Sequence, residues 1–149
     1  MPTFRNLDQL RKGVKQDLNR AIRLSRRDSK KAMDKAIEEY YDYAEPIVYE
    51  RTYKLASTPM VIDYGENGFK AFLNDEYRYP HITYTLDYGT STSKDPTMLD
   101  VLNLTNYDMR NSSVGYLHPT VGKHGYWERA VEEMEDIVDR QIRNHLPII

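Results

Sequence analysis

The 149-residue chain has no cysteine, which excludes disulfides, thiolate nucleophiles and cysteine-ligated metals and leaves the fold to packing alone. No apolar run approaches the roughly 20 residues that cross a bilayer. The opening MPTFRNLDQL lacks the apolar core of a signal peptide, so synthesis in the cytoplasm and no membrane partner are expected. Asn103-Leu104-Thr105 and Asn111-Ser112-Ser113 match the glycosylation sequon, with no export signal to make use of it. There is no G-x-G-x-x-G, no phosphate loop ending in Gly-Lys-Ser/Thr and no G-x-S-x-G, and the serines at 91, 93, 112 and 113 have no base visible in the sequence. Of the histidines at 81, 118, 124 and 145, the pair His118 and His124 stands six apart, which fits neither a helical metal pair nor a zinc finger. Glu132, Glu133, Glu135, Asp136 and Asp139 fill the polar face of a helix without a histidine at ligand spacing. The expectation is a protein that is not an enzyme, with no cofactor, metal or small-molecule substrate.

Phenylalanine and tryptophan are scarce, three and one, but tyrosine is not: there are thirteen. An apolar body with a polar tip suits half-wet contacts between subunits, and strand propensity also enriches tyrosine. Net charge is only −2 but is unevenly divided. Residues 1–35 hold eleven Lys or Arg against four acids, a net +7, leaving −9 to the rest. Such asymmetry points to a nucleic acid partner for the basic part or to a neighbouring subunit whose acidic part meets it.

The period of burial changes across Tyr40 to Ser57, where Pro46 turns the chain. Before it, Asn6 can cap a helix with Gln9 three residues on. Leu7, Leu10, Val14, Leu18, Ala21 and Ile22 follow at helical spacing, and the stripe resumes at Ala32, Met33, Ala36, Ile37, Tyr40 and Tyr41. LSRRDSKK at 24–31 weakens the apolar face, and Ser25 keeps the spacing without promising burial. Residues 6–43 therefore read as one long helix or two with a joint near 25–29. Unbroken, it would be about 55 Å long, so residues 1–30 are expected to form a basic helix projecting beyond the body.

After the proline, Met60 to Tyr64 and Phe69 to Leu73 read as antiparallel strands around a turn bracketed by Gly65 and Gly68. Period-two alternation over His81 to Tyr88 marks the clearest strand. From Gly89 to Gly125 the pattern fades, apart from a short helix begun by Asp95-Pro96 and running through Leu104. This long loop after the central strand is too apolar for a solvated linker and is expected to order on a neighbour. Tyr126 and Trp127 open a final helix with Ala130, Val131, Met134, Ile137, Val138 and Ile142 on one face, ended by Leu146-Pro147. The fold class is α+β: a long N-terminal and a C-terminal helix packed on a small antiparallel sheet, as one domain spanning 1–149.

Arg20, Arg23, Arg26, Arg27, Lys30 and Lys31 occupy more than one helical face. That suits a solvated surface or a subunit contact, or salt-sensitive, sequence-indifferent contact with phosphates, rather than a helix reading a groove.

The order of these features resembles the neck and tail-completion (head-tail joining, minor structural) proteins of long-tailed bacteriophages. It comprises a basic N-terminal helix, then Tyr40, Tyr43, Pro46, Tyr49, Arg51, Thr52 and Leu55, then strands, then Asp87-Tyr88-Gly89-Thr90, a long loop and an aromatic-led helix from Tyr126. In that family the segment after the proline reads R-T-G-x-L, and this chain has Tyr53 where glycine is commoner. The resemblance implies a virion protein at the head-tail junction, made in the host cytoplasm and assembled as a homo-oligomeric ring. Such a ring binds head-side connector and tail proteins and lines or seals the channel for double-stranded DNA, without catalysis. The alternatives are a tail-terminator ring, or a basic-helix nucleic-acid-binding module outside a virion. On this reading Arg51 and Thr52 organise the hinge, Arg51 pairing with Asp42, Glu45 or Asp87. Tyr49, Tyr53, Tyr88, Gly89, Met98, Leu99, Leu102, Tyr107 and Tyr116 are the structural or interface residues.

Overall fold

The computed structural model describes residues 5–43, 53–85, 89, 91–107 and 122–146. The first helix, α1 (Leu7–Asp42), is unbroken over 36 residues, about 54 Å. Asn6 caps it by accepting the Gln9 N–H at 2.9 Å, as its spacing predicts. The Gln9 side chain reaches one residue further back than a capping box requires, to the Arg5 N–H.

The joint expected near 25–29 is absent, and the reason is the size of the residues there. Ser25 and Ser29 are fully buried on the same seam as Ala21, Ala32 and Ala36. A second long helix, α3 (Tyr126–His145), runs antiparallel to α1 along that seam. Its direction is fixed by Arg129 beside Glu39, Lys35 beside Glu133, and Gln141 donating to Asp28. Small side chains let two helix backbones approach closely, so the serines act as packing residues and not as breaks in the apolar face.

The fold is α+β as expected, two long helices with small antiparallel sheets, and among the described residues the strands pair as two separate two-stranded sheets. Strand β1 (Pro59–Asp63) pairs with β2 (Phe69–Leu73) in the register Val61 opposite Ala71. Gly65 sits in their turn at φ 66°, a left-handed conformation that a Cβ disfavours. Val61, Ala71 and Leu73 face the core, and Met60 and Ile62 face outward. This hairpin lies against α1, pinned by Arg26, which donates to the Val61 carbonyl at 3.1 Å and meets Asp63 at 3.2 Å.

Strand β3 (Ile82–Thr85) is shorter than the His81–Tyr88 run, of which 86–88 lie outside the described residues. Its partner β4 (Ser91–Lys94) falls in the stretch expected to be loop. STSK is polar at every position, so no hydrophobic period reveals it as a strand.

A helix, α2 (Met98–Tyr107), also occupies that stretch. It starts later than the Asp95-Pro96 signal implies. Thr97 and Asp100 cap it reciprocally, each side chain accepting the other's backbone N–H, at 2.9 and 3.2 Å. The 89–125 loop thus holds a strand and a helix, and 108–121 lie outside the described residues.

The core gathers at the C-terminal half of α1: Met33, Ala36, Ile37 and Tyr40 meet Leu55, Met98, Leu102, Tyr126 and Ala130. Burial of each large member stabilises by roughly 1.5–3 kcal/mol. The other half of α1 is different. No residue from Leu7 to Arg20 is buried, whereas Ala21, Ser25 and Ser29 are, so the 1–30 span is not uniformly free of the body. Among the described residues no helix is long and apolar enough to cross a membrane.

Candidate assembly interface

The chain leaves α1 through a tyrosine cluster. Tyr40 is buried, edge-on to Tyr41 and Tyr126 at 5.6 Å and to the His124 ring at 6.0 Å. Gly122 passes so close that a Cβ there would stand 2.3 Å from the Tyr40 ring. Around this buried ring lies a partly exposed band. Tyr41 meets Tyr53 at 4.8 Å, Lys54 sits 5.4 Å over the Tyr77 ring, and Tyr77 stands edge-on to Tyr79 at 4.9 Å. Tyr43, Tyr53 and Tyr77 are 70%, 51% and 41% exposed, whereas Tyr41 and Tyr79 are half-buried against the core.

Tyr53 is held in the left-handed region, φ 57° and ψ 17°, the one described non-glycine residue with positive φ. A bulky side chain in this region is strained by about 1 kcal/mol or more. It caps the 3-10 turn Lys54–Ser57, whose Leu55 plugs the core, so the strain sits where the chain re-enters the body.

Behind the band, α2 and α3 are tied together by Asn106. Glycine at 125 gives α3 no side-chain cap. Asn106 supplies it from outside, accepting the Trp127 N–H at 2.8 Å, while its carboxamide nitrogen donates to Glu128 at 3.0 Å and its carbonyl accepts the Gly125 N–H at 2.7 Å. The Tyr126 hydroxyl reaches Thr105 at 2.8 Å, and burial pushes its pKa well above the ordinary tyrosine value despite that bond. His124 bonds the Thr105 carbonyl through Nδ1. Only an Asn on a neighbouring helix could have revealed this cap, and sequence spacing does not show neighbours.

Met98 and Leu102 are buried in the subunit's own core, which fits a structural role. Leu99 and Tyr107 on the same helix stay exposed, and Gly89 is exposed at φ 87°. Tyr49, Arg51, Thr52, Tyr88 and Tyr116 lie outside the described residues, as do Pro46 and the proposed partners Glu45 and Asp87.

The six basic residues divide into two sets. Arg26 turns to the hairpin and Lys30 closes on Asp34 at 2.7 Å. Arg20, Arg23, Arg27 and Lys31, at i, i+3, i+7 and i+11, form one exposed ridge on the side of α1 opposite the buried serines.

One further constellation was invisible in the sequence. Asp95 meets His81 Nδ1 at 2.7 Å, His81 Nε2 lies 3.4 Å from Thr83 Oγ1, and Thr83 Oγ1 is 3.2 Å from Ser93 Oγ. The order carboxylate, imidazole, hydroxyl is that of a nucleophilic relay. Here the imidazole and carboxylate are 56% and 81% exposed, water competes for both, and 3.4 Å is long for proton transfer. Its evident effect is to stitch β3 to β4. Among the described residues no three His, Asp or Glu side chains cluster for a metal.

No protein-family model, curated protein or solved structure matches this chain.

Proposed function

We propose that the chain is a structural virion protein, one subunit of a ring at the bacteriophage head-tail junction. It acts as a neck or tail-completion protein that joins head-side connector to tail around the DNA channel, without catalysis. The observation that carries this reading is the backbone of Tyr53. In the family that the chain resembles, glycine is commoner at this place in the R-T-G-x-L motif. A left-handed φ of 57° is the conformation for which glycine is the default. A conformation and a motif thus agree at one position, although the side chain disagrees. The exposed tyrosines beside it support a contact surface, and the unburied first half of α1 supports a partner beyond the subunit's own core.

Electron microscopy of the purified protein, alone and mixed with connector complexes, tests the reading. Closed rings that cap connectors are expected, and particles that stay monomeric in both samples would end it.

The basic ridge favours a second reading, a module that binds nucleic acid through phosphates. That reading requires duplex affinity falling steeply with salt and lost on reversal of Arg23 and Arg27.

A further inference from the structure

The charge asymmetry of the sequence becomes geometry in the helix pair. On α3, Glu128, Glu132, Glu135 and Asp139 recur at i, i+4, i+7 and i+11, all exposed, on the side away from the buried Tyr126, Ala130 and Ile137. On α1, the four cations from Arg20 to Lys31 lie away from Ala21, Ser25, Ser29 and Ala32. Both ridges run over eleven residue steps, about 16 Å at helical rise. The two helices face each other through their buried sides, so the ridges lie on opposite outer flanks of one helical layer and cannot meet within a subunit.

We propose that the basic ridge of α1 docks on the acidic ridge of α3 of a second copy of this chain. The inference rests on the ring reading above and names the two surfaces that join its subunits. Several of the charges are available for it. Arg20, Arg23, Lys31, Glu132 and Glu135 make no ion pair or hydrogen bond among the described residues. The sign of partner that α1 accepts is already visible inside the subunit, where Lys15 lies 3.9 Å from Glu66 and Arg26 meets Asp63. Each docking event leaves one free basic and one free acidic ridge at the ends of the assembly. The contact is therefore heterologous and propagates until it closes. Nucleic acid would account for the basic ridge alone, and it would be repelled by the acidic one.

Mass photometry and sedimentation velocity of the full chain, across concentration and salt, test the pairing. Three proteins are needed: wild type, Arg23→Glu with Arg27→Glu, and Glu132→Lys with Glu135→Lys. All four sites are exposed. Circular dichroism melts check folding, with the corresponding Gln substitutions in reserve should a reversal unfold.

Wild-type multimers that weaken as salt rises are expected. Each variant alone should need about tenfold or more higher concentration to assemble, and an equimolar mixture of the two should assemble again because their ridges match. Multimers of either variant at the wild-type concentration would overturn these surfaces while leaving the ring standing. A mixture that stays dissociated would overturn their pairing. Duplex DNA bound at Arg23 and Arg27, with wild-type assembly indifferent to their reversal, would give the basic ridge to nucleic acid instead. Wild type that never associates would remove the ring reading itself.

Discussion

Replacing Tyr53 by glycine and by alanine separates backbone strain from side-chain contact. At an ordinary exposed position alanine is the more stable by about 0.5–1 kcal/mol, because glycine has more freedom to lose on folding. At φ 57° the order should reverse. The left-handed conformation costs alanine about 1 kcal/mol or more that glycine does not pay. Both substitutions lose the ring contact with Tyr41 at 4.8 Å, which at a half-exposed pair is worth about 0.5–1.5 kcal/mol. Tyr53→Ala should therefore be destabilised by about 1 kcal/mol, whereas Tyr53→Gly should lie within about 0.5 kcal/mol of wild type. Urea unfolding at constant slope measures the difference, and in a chain of this size it corresponds to a shift in Tm of about 2–4 °C. An alanine variant as stable as the glycine variant would refute the left-handed assignment, and with it the support that conformation lends to the proposed function. If the tyrosine band is a contact surface, the glycine variant should also assemble less well than wild type at unchanged stability.

Ser29 is fully buried with no hydrogen-bond partner for its hydroxyl among the described residues, so Ser29→Ala should raise stability by about 1 kcal/mol in urea unfolding. Ser29→Leu should lower it by about 1–3 kcal/mol, because α3 lies against that spot. Asn106→Ala removes the cap of α3 and orphans the Trp127 N–H, at a cost of about 1–2 kcal/mol by the same measurement. Tyr126, with its pKa raised by burial, must stay neutral in the fold. Its contribution is present below the ordinary tyrosine value of 10.0 and is lost as pH climbs above it. The stability difference between wild type and Tyr126→Phe should accordingly shrink above that pH, and a difference constant with pH would refute the buried-phenol account.

The helices were legible because burial writes a period into them. Ala21 to Tyr40 and Tyr126 to Ile137 carry buried stripes that only a helix brings together, and the β1–β2 turn announced itself through Gly65. What escaped shares one property, dependence on a neighbour distant in sequence. Ser25 and Ser29 look like interruptions until α3 is laid against them, since a short polar side chain and a close-packed one are the same residue to a periodicity argument. β4 has no apolar face because its strand is specified by pairing with β3 and not by burial. The acid of the α2 capping box is an Asp where Glu or Gln is the usual signal, so the preceding Asp95-Pro96 drew the start two residues early.

The same logic explains why six cations that scatter around a wheel yield a four-residue ridge. Arg26, Lys30 and Arg27 each meet an acid, Asp63, Asp34 and Asp28, and of these only Arg27 stays on the exposed ridge with Arg20, Arg23 and Lys31. A sequence records charge, whereas a fold decides which charge is already spoken for. The unpaired charges, Arg20, Arg23 and Lys31 on α1 and Glu132 and Glu135 on α3, are of opposite sign and turned to opposite sides. A solitary subunit gains nothing from that arrangement, since like charges held along one ridge repel each other. Under the proposed pairing, copies in contact would relieve both ridges at once.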